Sequence, residues 1–455
     1  MPDFSYPDAP LLFRLSTGKC SNTNRLSSLG CLFPKSTAMS LSAAILDHRA
    51  NFPALHDHPQ RLYFNYGGQG VLAEATINAV HQALRDHEAM GGYSQKAGVW
   101  TTRLMQDAKK AVADLAGVAP NTISLTENTT VGCNIALWSV PWQQGDHLLL
   151  TDCEHPAVWH IAHQIAARFG VSVTSFPLSQ FKDTNASDPQ GVQSLCTALV
   201  EYLQPTTRAL MISHGCWNTG QLVPLRAIAD LCHQSRPTAH YPYVYVLVDA
   251  AQSAGMIPLD QPGQTLGDLD VDVYGFTGHK WLCGPTGTGA VYVKPSIREE
   301  LQPIFVGWRG LDAKDGGRFE VATSSYPLLN GFKAAIDFAA QWGNAQQRYE
   351  RLRDLSQQLW TALQERNYLE CVRRNPPETG LISFKLSPSI VPQDDQETAN
   401  YLKIAKALEL EHQMYLRAVP EMPCLRLCVH YLTTTTEIEQ WLQILDSSFA
   451  AVQAG

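Results

Sequence analysis

Lys280 closes the run Gly275-Phe276-Thr277-Gly278-His279-Lys280 and lies thirty-one residues after Asp249, which follows the apolar run Tyr243–Val248. A lysine whose surroundings lower its pKa can form a Schiff base with a carbonyl compound. An aspartate at the C-terminal end of a strand can keep a pyridinium nitrogen protonated, which makes the ring an electron sink. Together the two residues point to pyridoxal phosphate (PLP). Each alone has a plainer reading, the aspartate as a turn or cap residue and the lysine as a solvated surface charge.

Three further segments carry polar groups at spacings that could do chemistry. Asn128-Thr129-Thr130 follows the strand-like Ile123–Leu125 and precedes the helical run Val131–Trp138. Hydroxyls and backbone N–H groups at a helix N-terminus can hold a phosphate, and a plain threonine cap is the alternative. His155, in Cys153-Glu154-His155-Pro156, ends another strand-like run and could stack on an aromatic ring. It does not form a metal set with His160 and His163, because residues five apart do not share a helix face. No metal site is expected. The segment Gly284-Pro285-Thr286-Gly287-Thr288-Gly289 resembles a phosphate loop, yet no Lys-Ser/Thr follows it. It reads better as a tight turn.

These groups need a scaffold, and the alternation of apolar runs and helical spacing between about 75 and 300 provides one. His147–Leu150, Val171–Phe176, Ala209–Ser213, Tyr243–Val248, Val271–Phe276 and Ala290–Val293 read as strands. Several are apolar at consecutive positions, as strands buried on both faces are. Trp159–Phe169 and Val192–Leu203 read as helices between them. The expectation is an α/β fold with a mainly parallel seven-stranded sheet flanked by helices. Ligands in such sheets sit outside the carboxyl ends of the strands, where Asp249, His214 and Thr277 are expected. Beyond the Gly-rich Gly307–Gly317, helices at Ala334–Tyr349, Leu352–Arg366, near Thr398–Glu409 and at Glu437–Ala451 alternate with strands at Leu381–Leu386 and Cys424–Leu432. That half reads as a smaller α+β domain reached by a linker near 305–330. The expected division is an extension with a first helix over 1–58, partly disordered, a large domain over 59–315 and a small C-terminal domain over 316–455. The start of the large segment is expected to pack on the small domain as well.

The 455 residues suffice for two or three cores. A net charge of −8 argues against nucleic-acid and anionic-membrane partners. No apolar run has the roughly 20 residues a membrane helix needs. Eleven cysteines without a short repeating spacing read as reduced thiols in a cytoplasmic protein. Between Leu11 and Leu46 there is no acidic residue, while Arg14, Lys19, Arg25 and Lys35 lie among Ser, Thr, Asn and Gly. The composition resembles a transit peptide. The preferred reading is an extension with Met39 as an alternative start, since Asp3 and Asp8 precede it and no amphipathic helix emerges.

The set Thr129-Thr130, His155, Ser213-His214, Asp249-x-x-Gln252, Thr277-x-His279-Lys280 and Phe319-Glu320-x-x-Thr323 resembles the class V aminotransferases, and among them the cysteine desulfurase and C–S lyase branch. The resemblance spans about 60–450. It implies that Lys280 carries PLP and acts as the base at the substrate Cα. It further implies that Asp249 pairs with the pyridine nitrogen, Gln252 with the ring hydroxyl, and His155 with the ring face. By the same resemblance His214 should join the cofactor residues, and Thr129, Thr130, Thr277 and His279 should bind the phosphate. Thr323 matches a residue that in this family reaches the cofactor of a neighbouring subunit, which implies a homodimer. Arg426 matches the arginine that binds the substrate carboxylate, and Arg417 resembles a second substrate arginine.

Two departures from the desulfurases shape the expected function. The stretch Arg417–Arg426 is short, carries Pro420 and Pro423, and has no cysteine before Cys424. Cys424 reads as a buried small hydrophobe rather than a sulfur carrier on a mobile arm. Trp217 stands where desulfurases commonly have asparagine, with Asn218 beside it; both are carried as substrate-binding positions. Without a sulfur-accepting thiol, the expected reaction is β-elimination from cystine, cysteine or related derivatives. It gives pyruvate, ammonia and a persulfide or sulfide usable by a sulfur acceptor or an apo iron–sulfur protein. A desulfurase or selenocysteine lyase giving alanine, and a transaminase or epimerase, stay open as alternatives.

Overall fold

The computed structural model describes residues 44–235, 243–307, 312–321 and 323–453. Of the expected extension and first helix over 1–58, residues 1–43, including Met39, lie outside the described residues. So do parts of the expected linker. Thirteen strands are present among the described residues: β1 Leu62–Tyr63, β2 Ile123–Thr126, β3 His147–Thr151, β4 Ser172–Phe176, β5 Thr207–Ser213, β6 Tyr245–Asp249, β7 Val273–Thr277, β8 Gly289–Val293, β9 Leu369–Cys371, β10 Leu381–Leu386, β11 Met414–Tyr415, β12 Arg417–Val419 and β13 Cys424–Cys428.

The large sheet has seven strands in the order β2-β8-β7-β6-β5-β3-β4. Only β8 runs against its neighbours, so the sheet is mainly parallel as expected. β3, β5, β6, β7 and β8 are buried at every position, which is why their sequences are apolar runs and not alternations. Two apolar cores, one on each sheet face, include Val246, Val248 and Tyr274 on one side and Tyr245, Leu247 and Val273 on the other. The edge strand β4 is half-buried. The other edge, β2, is covered: Ser124 donates to the Gly316 carbonyl, and Glu320 accepts from the Leu125 N–H while pairing with Lys109. An edge closed in this way offers no free N–H row to another chain.

The helix Thr129–Ser139 crosses the sheet unusually closely. A Cβ on Gly132 would lie 3.2 Å from the Gly275 Cα, so two glycines let this helix settle onto β7. That contact aims the helix N-terminus at the end of the Lys280 strand.

The second sheet is antiparallel, β12-β13-β10-β9, with a core of its own built on Leu359, Phe384 and Trp441. β1 pairs in parallel with β11, so the chain preceding the large sheet is stitched to this smaller layer. The helix expected at Ala334–Tyr349 instead runs Tyr326–Trp342, followed by Ala345–Gln364. The break falls at Gly343-Asn344 because Asn344 and Gln347 form a reciprocal capping box. β13 stops at Cys428 and not at Leu432, because its partner β10 begins opposite it at Leu381. Among the described residues no helix is long and apolar enough to cross a membrane.

Candidate active site

The carboxyl ends of β2, β3, β5, β6 and β7 converge on a cavity of about 430 Å³ whose far wall is the small sheet. Thr129, Thr130, His155, Asp249, Gln252, Thr277, His279 and Lys280 line it from the large sheet, and Arg417 and Arg426 line it from β12 and β13. The two arginines are direct cross-strand partners, which puts both side chains on one face.

Lys280 follows β7, and its loop folds back at once: Cys283 N–H bonds the Lys280 carbonyl and Gly284 N–H the Gly278 carbonyl. The Gly284–Gly289 segment is therefore the tight turn expected, with Thr288 donating to the Pro285 carbonyl. Burial lowers the Lys280 pKa to about 8; Asp249 opposes that shift, while Arg426 and Arg417 add to it. Asp249 is buried, and desolvation raises its pKa against the Ala251 N–H and the nearby Lys280 ammonium, which both favour the carboxylate.

His155 is fixed by its own helix. Its Nδ1 accepts from the Ala157 N–H at 3.2 Å, and burial lowers its pKa while the nearby Asp249 works against that shift. The Trp217 ring meets it edge-on, 5.4 Å between centroids. Thr277 and His279 are tied to each other through Oγ1 and Nδ1 at 2.5 Å. The Gln252 amide is oriented from both ends, donating to the Gly67 carbonyl and accepting from Trp281 Nε1.

Some sequence-selected residues are not on the cavity. His214 turns away from it, its Nδ1 at 2.9 Å from the Tyr274 hydroxyl. It is Ser213 and Gly215, on the opposite face of the chain, that reach the wall. Asn218 is buried and spends its Oδ1 on the Thr219 N–H. Thr323 is exposed with φ of +35° and does not line the cavity of its own chain. Cys424 is fully buried among Trp217 and Val419, and burial raises its thiol pKa to about 12.

Sequence reasoning missed four residues: Gly67, Gly68, Glu154 and Cys133. Gly67 and Gly68 form part of the wall, and a Cβ on Gly67 would lie 2.8 Å from Cys428 Sγ and 2.9 Å from Gln252 Oε1. The glycine-rich Tyr66-Gly67-Gly68-Gln69-Gly70 was the available signal. Glu154 is buried behind His155, accepting from Thr151 and from both the N–H and hydroxyl of Ser213, and burial raises its pKa to about 8. It ties the end of β3 to the end of β5. Cys133 also lines the wall and hydrogen-bonds Asp249.

Several features fit PLP. The Thr129 hydroxyl is buried without a protein partner at a helix N-terminus whose Val131 N–H is already capped by Asn128. Anions bind well at such an end. Arg426 Nη1 donates to the Trp217 carbonyl, while its Nε and Nη2 are buried without partners. No group of three or more metal-ligating side chains that could hold a metal ion occurs among the described residues.

The family model described as aminotransferase class-V matches residues 62–408. The chain belongs to this family. Class V aminotransferases are PLP-dependent enzymes, and this chain is one of them. Its fold superposes on the cystine C–S lyase C-DES bound to its reaction product cysteine persulfide, with a TM-score of 0.77 and 37% identity over 87% of this chain and 98% of that one. A lysine-to-alanine mutant of C-DES with glycine covalently linked to its PLP cofactor gives the same TM-score of 0.77 at 36% identity. Among curated relatives, isopenicillin N epimerase of Streptomyces clavuligerus is 26% identical over 76% of this chain and 84% of its own length. A cysteine desulfurase of Haloferax volcanii is 28% identical over 66% of this chain and 67% of its own length.

Proposed function

We propose that this class V enzyme is a carbon–sulfur lyase that cleaves cystine and related cysteine derivatives by β-elimination. With cystine and water the products are pyruvate, ammonia and cysteine persulfide. The observation that carries the reading is the division of the small-sheet residues: Arg417 and Arg426 reach the cavity beside Lys280, whereas Cys424 on the same stretch does not. The likeness to a cystine C–S lyase supports the same reading.

When bound, PLP supplies an electron-accepting ring that acidifies the substrate Cα–H. Lys280, with a pKa near 8, can exist as a free amine close to neutrality and so take that proton. The carboxylate of Asp249 is available to a protonated ring nitrogen, and its bond from Ala251 N–H fixes its orientation. Arg426 offers two adjacent free donors to the α-carboxylate, a bidentate match. Arg417 lies directly opposite Arg426, and the proposal gives it the second carboxylate of cystine. A persulfide leaves more readily than a thiolate because its conjugate acid is stronger, which favours cystine over cysteine. The perthiolate then departs without an enzyme thiol, since Cys133, on the wall, is held at Asp249 with its pKa well raised by burial. Release to a sulfur acceptor for iron–sulfur assembly, a cytoplasmic setting and a homodimer sharing Thr323 complete the proposal.

The test is product analysis. Cystine should yield pyruvate and not alanine, and Cys424→Ala should keep most of that rate, apart from packing losses that would also lower stability. Alanine as the wild-type product, together with an inactive but folded Cys424→Ala enzyme, would establish a desulfurase instead.

A further inference from the structure

We infer that Trp217 walls the Cys424 thiol off from the cavity and so from the substrate sulfur. The inference deepens the lyase reading and rests on it, but it is tested by a quantity that does not depend on the product formed.

The indole has two different neighbourhoods. On one side it lines the cavity and meets His155 edge-on. On the other it belongs to a small apolar cluster with Val419 and Cys424, which Val372 and Met422 close from outside. Trp217 is 5% exposed and Cys424 fully buried. Cys424 and Arg426 are two residues apart on β13, so their side chains leave the same face of the strand. Arg426 nevertheless lines the cavity, while Cys424 does not. The indole occupies the space that a smaller residue would leave between them.

The placement of the tryptophan is itself fixed. Its carbonyl accepts from Arg426 Nη1 at 2.8 Å, and the next residue is held by Ser383, whose hydroxyl donates to the Asn218 carbonyl. The backbone at Trp217 is thus bound to the two central strands of the small sheet, which fixes the point from which the indole enters its apolar cluster. One residue therefore serves both requirements of an elimination. Its carbonyl steadies the carboxylate-binding arginine, and its ring keeps the nearest thiol of the Arg417–Arg426 stretch out of reach of the substrate sulfur. Burial then leaves that thiol protonated, with a pKa of about 12.

Native holoenzyme would be treated with iodoacetamide and the alkylation rate of Cys424 followed by peptide mass spectrometry. The wild type should label Cys424 very slowly. Trp217→Ala should raise that rate by about tenfold or more, because labelling would no longer wait for local opening. Trp217→Phe retains most of the bulk and should stay near the wild-type rate. Val419→Ala loosens the same cluster away from the cavity and should also stay near it. Retained cofactor absorbance and melting temperature establish that each variant is folded, and Trp217→Leu carries the comparison if the alanine variant does not fold. The inference is overturned if the opened variant labels no faster than the wild type. It is equally overturned if Val419→Ala or Trp217→Phe labels as fast as the opened variant. A desulfurase product pattern with these labelling rates intact would sink the lyase reading alone.

Discussion

Arg426→Ala tests the substrate site most directly. Arg426 is 1% exposed, its Nη1 donates to the Trp217 carbonyl, and its Nε and Nη2 have no protein partner. A buried cation with two unspent donors awaits an anion, and a substrate carboxylate would use both. Removing one charged partner of such a contact costs about 2–5 kcal/mol. At tenfold per 1.4 kcal/mol, that is roughly thirty- to several-thousand-fold in kcat/KM. Stability should respond differently. The Trp217 carbonyl loses its donor, a cost of about 1–3 kcal/mol, but a buried charge without a counter-ion is removed with it. The two effects oppose each other, so the melting temperature should stay close to that of the parent. Arg426→Lys keeps the charge but loses the planar fork and should fall between. Pyruvate release coupled to lactate dehydrogenase over a range of cystine concentrations gives the constants. A folded, PLP-loaded Arg426→Ala enzyme with kcat/KM within about threefold of the parent, worth roughly 0.7 kcal/mol, would refute the assignment.

Arg417→Ala should impair cystine more than cysteine if Arg417 meets the second carboxylate, and equal losses on both would remove that role. Borohydride should fix PLP on Lys280, and an adduct on another lysine by mass spectrometry would displace it. Since burial lowers the Lys280 pKa to about 8, the apo-enzyme should capture PLP faster as pH rises through that value. The unfolded chain holds the same proton up to about 10.5, so this group makes apo-enzyme stability rise with pH between about 8 and 10.5. A capture rate that is flat across pH 7–9 would contradict the assigned shift. Thr323 does not line its own chain's cavity, so mixing a Lys280→Ala chain with a Thr323→Ala chain should recover activity above either alone, through mixed dimers with one intact site; no recovery would place Thr323 in its own subunit's chemistry.

The residues legible in sequence share one property: they stand at the ends of strands that announce themselves as apolar runs. Asp249, Thr277 and Lys280 could be assigned to one edge of a parallel sheet because chain order and strand direction suffice to bring them there. Asn128-Thr129-Thr130 could be read in the same way, since a strand followed by a helix leaves the helix N-terminus at that edge.

What the sequence could not decide depended on side-chain direction and on contacts between distant segments. Whether Ser213 or His214 faces the ligand is a matter of strand parity, and parity is settled by packing against Tyr274. The pairing of Arg417 with Arg426 needed the β12–β13 register. The role of Glu154 needed Thr151 and Ser213 beside one another, sixty-two residues apart in the chain. The helix break at Gly343-Asn344 was hidden by continuous amphipathic spacing, and a local capping box overrode it. Cys424 could be read as buried from its strand, but the indole between it and the cavity became visible only once β13 was packed against the loop after β5. Chain order fixed which chemistry is present at the sheet edge. Tertiary packing fixed which groups touch the substrate, because orientation and exclusion are properties of contacts that no single segment contains.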